Sequence, residues 1–171
     1  MYFAQPGNSF IWYGLILLAF GEFIRFSGVR YAGGITRTTK VGAPSLCTSG
    51  PFSYVRNPLY IGNIIMYTGV VLIAGAPNVL VMLLITWCFF TVQYGLIIAL
   101  EEETLTGLFG EEYQLYKQNV RAFFPRFTPW NPSDSRVPMS YKKTFKTEKR
   151  TLQNSLFVLF LILVRTQFPA V

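Results

Sequence analysis

The chain contains no histidine, and only 13% of its 171 residues are charged. Without histidine it has no histidine general base, no serine–histidine triad and no histidine-ligated metal. The two cysteines, Cys47 and Cys88, form neither a metal-spaced pair nor a disulfide framework, so no metal site is predicted. Charged residues make up about 25% of an average soluble domain, which places this chain outside the usual soluble composition.

The chain is instead rich in apolar and aromatic residues. Half of the chain is hydrophobic, and 17% is aromatic. The formal net charge is +7, which in a soluble protein would suggest nucleic acid. Here the basic residues flank apolar runs, so we expect a membrane with anionic lipid headgroups to be the partner, and no nucleic acid.

Three apolar runs lie in the first hundred residues: Phe10–Phe26, Leu59–Ala76 and Asn78–Leu100. With flanking residues each approaches the roughly 20 residues that a bilayer crossing needs. The uncharged stretch at residues 74–78 contains Gly and Pro and predicts a tight turn, so the second and third runs should form a helical hairpin. Residues 1–9 carry no charge and no small-residue cleavage site follows, so the first run is predicted to be a retained helix.

The later part of the chain alternates between basic and apolar stretches. Residues 101–120 place apolar side chains at spacings of three and four, which predicts an amphipathic helix that continues or leaves the membrane. The residues predicted on its apolar face are Leu105, Leu108, Phe109, Tyr113, Tyr116 and Val120. We divide the chain into a membrane core (residues 1–130), a basic cytosolic loop (131–150) and a C-terminal apolar segment (151–171). The apolar stretch Leu152–Val164 is short, so that last segment is predicted to be either interfacial or a tilted fourth span.

Charge placement predicts the orientation. The segment between the first two runs carries Arg30, Arg37, Lys40 and Arg56, and the segment after the third is also basic, whereas the N-terminus and the hairpin turn carry no charge. The positive-inside rule then places the N-terminus outside and both charged segments in the cytosol. Three crossings bring those two segments to the same side. The sequence therefore predicts an all-α integral membrane protein with three to four transmembrane helices.

The stretch before the second run has the features of a helix start. Gly50-Pro51 predicts a turn, and Asn57-Pro58 predicts a capped helix with proline at its first position. Free amide groups at that helix start, with Arg56 beside them, would hold a carboxylate or phosphate. Gly62 leaves room for a ligand or for a neighbouring helix. The alternative is a capped helix next to a positive-inside arginine.

An acidic cluster, Glu101, Glu102 and Glu103, stands at the end of the third run. Carboxylates are unfavourable at a helix C-terminus and at a membrane boundary unless water or a cation compensates them. A bound cationic group, or Arg56 across the bundle, would do so; a solvated flank is the alternative. An anion-holding helix start beside cation-holding glutamates suits an amino acid zwitterion or a zwitterionic lipid headgroup.

These residues resemble the membrane methyltransferase superfamily that includes isoprenylcysteine carboxyl methyltransferases and phospholipid N-methyltransferases. The resemblance covers roughly residues 30–130. It rests on four features in order: Thr48-Ser49-Gly50-Pro51, then Arg56-Asn57-Pro58-Leu59-Tyr60-Ile61-Gly62, then the paired glutamates, then Phe109-Gly110-Glu111-Glu112-Tyr113 with Tyr116 and a basic tail.

The resemblance implies a helical, non-Rossmann fold that binds S-adenosylmethionine in a cytosolic pocket at the helix ends, with a lipophilic acceptor entering from the bilayer. The positions that match the family's cofactor contacts are Ser45, Leu46, Cys47, Phe52, Asn57, Pro58, Tyr60, Gly62 and Glu101. Two departures concern the substrate. Asn57 stands where the carboxyl methyltransferases have histidine, and Ile97 stands where they have a substrate-holding arginine.

Each site residue receives an expected role. We expect Arg56 and Asn57 on the cofactor carboxylate side, and Glu101 and Glu102 toward the cofactor amino or ribose groups. Tyr60 should line the methyl-transfer site, where its ring would contact the sulfonium. Glu102 is the candidate base if the acceptor is an amine. The catalytic set is therefore Arg56, Tyr60 and Glu102.

Two other functions fit parts of the pattern. A membrane reductase of the sterol type would use a nicotinamide cofactor, with Arg56 and the basic tail holding phosphates. A non-enzymatic membrane scaffold would use the same motifs for helix packing only. The acidic cluster disfavours the reductase, and the order of the four features disfavours the scaffold.

Overall fold

The computed structural model describes residues 10–33, 45–130 and 136–167. In these ranges the chain forms four α-helices and a short 3₁₀ turn at Gly50–Ser53, with no strand. The helices are α1 (Ile11–Ala32), α2 (Pro58–Ala74), α3 (Val79–Asn119) and α4 (Tyr141–Gln167). The all-α prediction is confirmed. Parts of the charge and topology predictions rest on residues 1–9, 34–44, 131–135 and 168–171, which lie outside the described residues.

The apolar surface of the helices faces outward. Among the described helices, α1 and α3 are long and apolar enough to cross a membrane, and α2 is a shorter apolar helix of 17 residues. Large side chains such as Trp12 and Phe23 on α1 and Leu96 on α3 are each more than 60% exposed. Burying apolar surface gains about 25 cal/mol per Å², so lipid rather than water is the solvent that suits this surface.

The hairpin forms as predicted. Gly75 ends α2 in the left-handed conformation (φ 59°), which glycine adopts without a steric penalty. The Asn78 side chain then accepts a hydrogen bond from the Val81 amide (3.1 Å) and caps the start of α3. Helices α2 and α3 are therefore antiparallel neighbours. The start of α2, near residue 57, lies close to residue 101 of α3.

Helix α3 is interrupted at Gly110, which has φ 51° and ψ −121°. Before this point the helix continues past the apolar run; after it, a last short piece turns back toward the protein. Tyr113, Tyr116 and Val120 on that piece are buried and pack with Leu46. This bend gives α3 a second, inward-facing cluster at the charged end of the bundle.

Glycines bring α1 and α2 into backbone contact. An alanine Cβ at Gly14 would lie 2.6 Å from the Gly69 carbonyl oxygen, and one at Gly21 would lie 2.6 Å from the Gly62 carbonyl oxygen. Gly14 and Gly21 are seven residues apart on α1, and Gly62 and Gly69 are seven residues apart on α2. Because the helices are antiparallel, Gly14 faces Gly69 and Gly21 faces Gly62. Small residues at a helix interface let backbones approach closely in a lipid environment, and α1 with α2 forms the most extensive helix contact in the described chain.

Helix α4 begins at Tyr141, so the prediction of a basic loop is wrong for residues 141–150. Thr144 and Glu148, one helical turn apart, are buried against α1, and Glu148 forms a salt bridge with Arg25 (3.1 Å). The charges that favoured a loop lie on the exposed face: Lys142, Lys143, Lys146, Lys149 and Arg150. Farther along, Ile162 packs with Leu18 and Ile73, so the apolar half of α4 lies against α1 and α2.

We expect Gly69→Ala to destabilise the protein, because the new Cβ would lie 2.6 Å from the Gly14 backbone oxygen. Overpacking of this kind costs about 1–3 kcal/mol. Gly95→Ala on α3 is the matched control, since its Cβ meets nothing within 4 Å and alanine is the better helix former. Thermal unfolding in detergent should show a lower midpoint for Gly69→Ala alone. Equal midpoints would contradict backbone contact between α1 and α2.

Candidate functional site

The segment before α2 lies beside the segment after α3. Three backbone hydrogen bonds join them: Arg56 N–H to the Arg121 carbonyl, Arg126 N–H to the Tyr54 carbonyl and Trp130 N–H to the Ser53 carbonyl, each 2.9 Å. The Tyr116 hydroxyl adds a fourth link by donating to the Phe52 carbonyl (2.7 Å). The start of α2 and the end of α3 therefore form one platform at the charged end of the bundle.

Arg56 is held inside this platform. Its guanidinium donates to the Glu102 carboxylate (2.6 Å) and to the carbonyls of Lys117 (3.1 Å) and Val120. Carbonyls at a helix C-terminus lack intrahelical partners and attract cations, so Arg56 caps α3 while pairing with Glu102. This is one of the two compensations predicted for the acidic cluster.

Glu102 is neutralised twice. Lys117 forms a second salt bridge with its other carboxylate oxygen (2.6 Å). Burial raises the pKa of Glu102, but the hydrogen bonds from Lys117 and Arg56 and their charges outweigh it, so the pKa lies below its usual value. In the sequence, Lys117 is one of the basic residues after the third run that predict the orientation. The break at Gly110 brings it back to Glu102, and no local spacing signals that contact.

Glu101 has a different environment from its neighbour. Its carboxylate accepts a hydrogen bond from the Tyr60 hydroxyl (2.7 Å). Among the described residues it forms no salt bridge. Burial raises its pKa, and the bond from Tyr60 opposes this only in part. The ring of Tyr60 in turn packs on Tyr94 of α3, with centroids 4.7 Å apart. The site therefore contains a half-buried, uncompensated carboxylate beside two aromatic rings.

Asn57 occupies the N-cap position of α2, and Pro58 occupies the first helical position, as predicted. The predicted side-chain cap is wrong, because the Asn57 side-chain oxygen accepts no hydrogen bond from the first amides of α2. The side-chain nitrogen donates to the Ala122 carbonyl (3.2 Å), just after the end of α3, and this contact orients the side chain away from the capping geometry. The first amide groups of α2 thus receive no side-chain cap from Asn57, and the helix start keeps its attraction for anions.

The segment before the glycine turn also reaches this platform. Leu46 is 7% exposed and packs with Tyr113 and Tyr116. Cys47 is half-buried. Phe52 lies in the 3₁₀ turn, and its carbonyl accepts the hydrogen bond from the Tyr116 hydroxyl. The predicted cofactor segment, the helix start and the acidic cluster therefore meet at one end of the bundle.

Gly62 does not face this platform. An alanine Cβ there would lie 2.7 Å from Arg25 Cγ and 2.8 Å from the Gly21 carbonyl oxygen. Of the two roles expected for Gly62, approach of a neighbouring helix is confirmed, and that helix covers the face a ligand would have used. The contact joins Gly62 to Gly21 on another helix, so no pattern within α2 signals it.

The two neighbouring glutamates should affect stability in opposite directions. Glu102→Gln removes a charge that Arg56 and Lys117 stabilise, and hydrogen bonds to charged groups are worth about 1.5–3 kcal/mol. Glu101→Gln keeps an acceptor for Tyr60 and removes an unfavourable buried charge, so it should preserve or raise stability. Thermal midpoints at neutral pH, measured without ligand, test the pair; a larger loss for Glu101→Gln would contradict the two environments.

The pH dependence follows from the sign of each shift. The Glu102 pKa in the folded protein lies below its usual value of 4.5, so its stabilisation is complete above that value and disappears as the pH falls through the folded pKa. The difference in midpoint between wild type and Glu102→Gln should therefore shrink on acidification below pH 4.5. A difference that stays constant into that range would contradict an ionised Glu102 as the source of stability.

Comparison with known proteins identifies the family. The family model for phospholipid methyltransferases matches residues 9–112, which is more than half of the chain. Among curated proteins, the chain is 34% identical to protein-S-isoprenylcysteine O-methyltransferase of Xenopus laevis over 117 residues, 66% of this chain and 39% of that protein. It is 30% identical to the Schizosaccharomyces pombe protein of the same name, over 63% of this chain and 46% of that protein.

The human protein of that name is 31% identical over 66% of this chain and 40% of its own length. The chain thus spans less than half the length of these relatives. No solved structure matches the chain. The family match covers α1, α2 and α3 through the acidic cluster, whereas the part of the platform at residues 116–130 lies beyond it. The chain therefore belongs to the phospholipid methyltransferase and isoprenylcysteine methyltransferase family, whose members use S-adenosylmethionine.

Proposed function

We propose that the chain transfers a methyl group from S-adenosylmethionine to a lipophilic acceptor at the membrane surface. The observation that carries this proposal is Glu101. It is a half-buried carboxylate that accepts one hydrogen bond from Tyr60 and forms no salt bridge with the described residues. A buried charge of this kind is unfavourable unless a ligand neutralises it. A cationic amino or sulfonium group would do so.

The residues around Glu101 fit the other groups of that cofactor. The first amide groups of α2 are not capped by Asn57, so they are suited to the cofactor carboxylate, as a helix N-terminus is. In this arrangement Glu101 takes the amino group, and Leu46, Cys47 and Phe52 line the adenosyl side. Asn57 and Pro58 act by shaping the helix start that binds the carboxylate.

Tyr60 and Tyr94 form the wall nearest to Glu101. Their rings are tilted by 31° to each other, with centroids 4.7 Å apart, and aromatic faces attract cations. S-adenosylmethionine supplies an activated methyl group on a sulfonium. The protein then needs to hold the acceptor in line with that methyl and to exclude water, which in well-oriented cases supplies roughly 7–11 kcal/mol.

Arg56 and Glu102 act in this proposal as positioning residues. Arg56 is committed to Glu102 and to two carbonyls at the end of α3, which leaves little of its charge for a cofactor carboxylate. Glu102 is a poor general base, because Arg56 and Lys117 hold its pKa low. Glu101 is assigned to the cofactor amino group, so the proposal gives neither glutamate the role of a base for the acceptor.

The acceptor is proposed only as a class. The family model is that of phospholipid methyltransferases, and the similar proteins are named for isoprenylcysteine. Ile97 is half-buried and uncharged, so it cannot hold an acceptor carboxylate. A lipid amine needs no cation at this position, whereas a lipid carboxylate would need a basic residue elsewhere in the site to bind it. The two classes of acceptor should be screened side by side.

Cofactor binding is the decisive test. In calorimetric titration of the detergent-purified protein, we expect S-adenosylmethionine and S-adenosylhomocysteine to bind the wild type. Glu101→Gln should lose at least about tenfold in affinity, since a hydrogen bond to a charged group is worth about 1.5–3 kcal/mol. Glu103→Gln is the matched control, because Glu103 is the exposed neighbour.

Equal affinities for Glu101→Gln and Glu103→Gln would remove Glu101 from the cofactor site. No binding by a folded wild type would contradict the methyltransferase proposal as a whole. The sterol-type reductase would then be tested with a nicotinamide cofactor. The site disfavours this cofactor, because Arg56 is paired with Glu102 and the carboxylate that Tyr60 binds, Glu101, would repel phosphates. Failure of both cofactors would favour the scaffold.

We also propose that the N-terminus lies outside and the platform lies in the cytosol. In a background without Cys47 and Cys88, Pro77→Cys in the hairpin turn should react with a membrane-impermeant maleimide added to intact cells. Ser140→Cys, which is exposed beside the basic face of α4, should react only after the membrane is permeabilised. The reverse pattern would contradict the positive-inside assignment.

A further inference from the structure

The stretch at residues 136–140, which we name the clasp, connects two separate parts of the protein just before α4. It lies beyond residue 112, where the match to the family model ends. At its first residue, Arg136 Nη2 donates to the Ser45 carbonyl (3.2 Å), the Ser45 hydroxyl (2.6 Å) and the Leu46 carbonyl (3.0 Å). A single guanidinium thus gathers three acceptors from two consecutive residues.

The other end of the clasp is attached to α1. The Met139 amide donates to the Arg30 carbonyl (2.7 Å), and Arg30 Nε donates back to the Met139 carbonyl (3.1 Å). The Arg30 guanidinium also lies over the ring of Tyr141, 4.0 Å from its centroid. This reciprocal pairing fixes the clasp at the point where α1 ends.

Helix α4 continues the attachment. Phe26 packs on Phe145, with ring centroids 4.8 Å apart. The buried Glu148 pairs with Arg25, whose guanidinium also donates to Asn63 of α2 (2.5 Å). Truncating one partner of a buried ion pair is costly, so α4 has a defined position along α1. Because α4 and the clasp are fixed to α1, Arg136 is held in place beside residues 45–46.

The segment that receives Arg136 has no regular structure of its own. Residues 45–49 form neither helix nor strand, so their carbonyls have no ladder to satisfy them. The Leu46 side chain points into the cluster with Tyr113 and Tyr116, while its carbonyl is bound from the other side by Arg136. Side-chain packing and the clasp together hold this segment in one conformation.

We propose that the clasp positions residues 45–49 for cofactor binding, with Arg136 as the positioning residue. The inference rests on the proposed function, because Leu46 and Cys47 are the residues assigned to the adenosyl side. A segment that is already ordered binds its ligand without a further loss of conformational entropy. The C-terminal part of the chain, outside the matched family region, would thus complete a site built from residues within it.

Arg136→Ala should weaken S-adenosylmethionine binding about tenfold in calorimetric titration, which corresponds to about 1.4 kcal/mol. Arg136→Lys should recover part of the affinity, since an ammonium donates to carbonyls but lacks the planar fork. Arg150→Ala is the control, because Arg150 lies on the exposed face of α4. With an acceptor in hand, Arg136→Ala should raise the KM for the cofactor and leave kcat nearly unchanged at saturation.

Cys47 gives a second measurement that needs no cofactor. In a Cys88→Ala background it is the single thiol of the chain, and it adjoins Leu46. If the clasp orders the segment, Arg136→Ala should speed maleimide alkylation of Cys47 several-fold, whereas Arg150→Ala should not. Added S-adenosylmethionine should slow alkylation in the wild type more than in Arg136→Ala at the same concentration.

The outcomes separate this inference from the function on which it rests. Weaker binding with faster alkylation in Arg136→Ala, reversed in part by lysine, supports the clasp. A wild type that binds the cofactor and an Arg136→Ala that binds it equally well overturn the clasp and leave the methyltransferase proposal standing. A folded wild type that binds no cofactor overturns both.

Discussion

The ion pair between Arg56 and Glu102 joins the three parts from which the candidate site is made. Arg56 precedes α2, Glu102 lies in α3, and the carbonyls that Arg56 also binds belong to the end of α3 after its bend. Both side chains are largely buried, 10% and 17% exposed. Without this guanidinium, the glutamate and the last carbonyls of α3 would lose their shared partner. The returning chain would then be held against the start of α2 by backbone hydrogen bonds and by the Tyr116 and Asn57 contacts, without a charged link.

Arg56 and Lys117 both pair with Glu102, so neither cation is left to neutralise Glu101. The two carboxylates are neighbours in sequence, yet one has two cations and a lowered pKa, and the other has a tyrosine hydroxyl and a raised pKa. Successive residues of a helix point about 100° apart, so one faces the platform and the other faces Tyr60. Perturbed groups of this second kind concentrate where proteins bind ligands, because a fold that needed only stability would have compensated the charge or replaced it.

Local sequence signals predicted the elements well and the long-range contacts poorly. Pro58 and the Gly75 turn act within a few residues and predict the two ends of α2, and the apolar runs predict where α1 and α3 begin. The Asn57 cap does not form, and the side chain is held instead through its nitrogen by the Ala122 carbonyl. The predicted basic loop is helical from Tyr141, and Glu148 in that helix pairs with Arg25 on α1. The sequence allowed Gly62 to face either a ligand or a neighbouring helix, and the contact with Gly21 of α1 shows that it faces the helix. In each of these cases the deciding partner lies more than 40 residues away.

The bend at Gly110 shows the same limit within one helix. Helical spacing grouped Leu108 with Leu105, Phe109, Tyr113, Tyr116 and Val120, but Leu108 is 52% exposed while the last three are buried. A periodic pattern assumes a continuous helix. The positive φ at Gly110 changes the direction of the chain, so residues after it no longer share a face with all those before it.

The contrast between the two helix interfaces bears on how a lipid acceptor would reach the platform. Helices α1 and α2 touch backbone to backbone at two levels, so neither can separate without breaking a close fit. Helices α2 and α3 pack less extensively, mainly through rings such as Tyr60 on Tyr94 and Tyr67 on Phe90. Side-chain rings can change rotamer where backbones cannot. On the proposed function, the rigid α1–α2 pair therefore keeps the cofactor end fixed, and the aromatic interface with α3 is the side on which the protein can open to the bilayer.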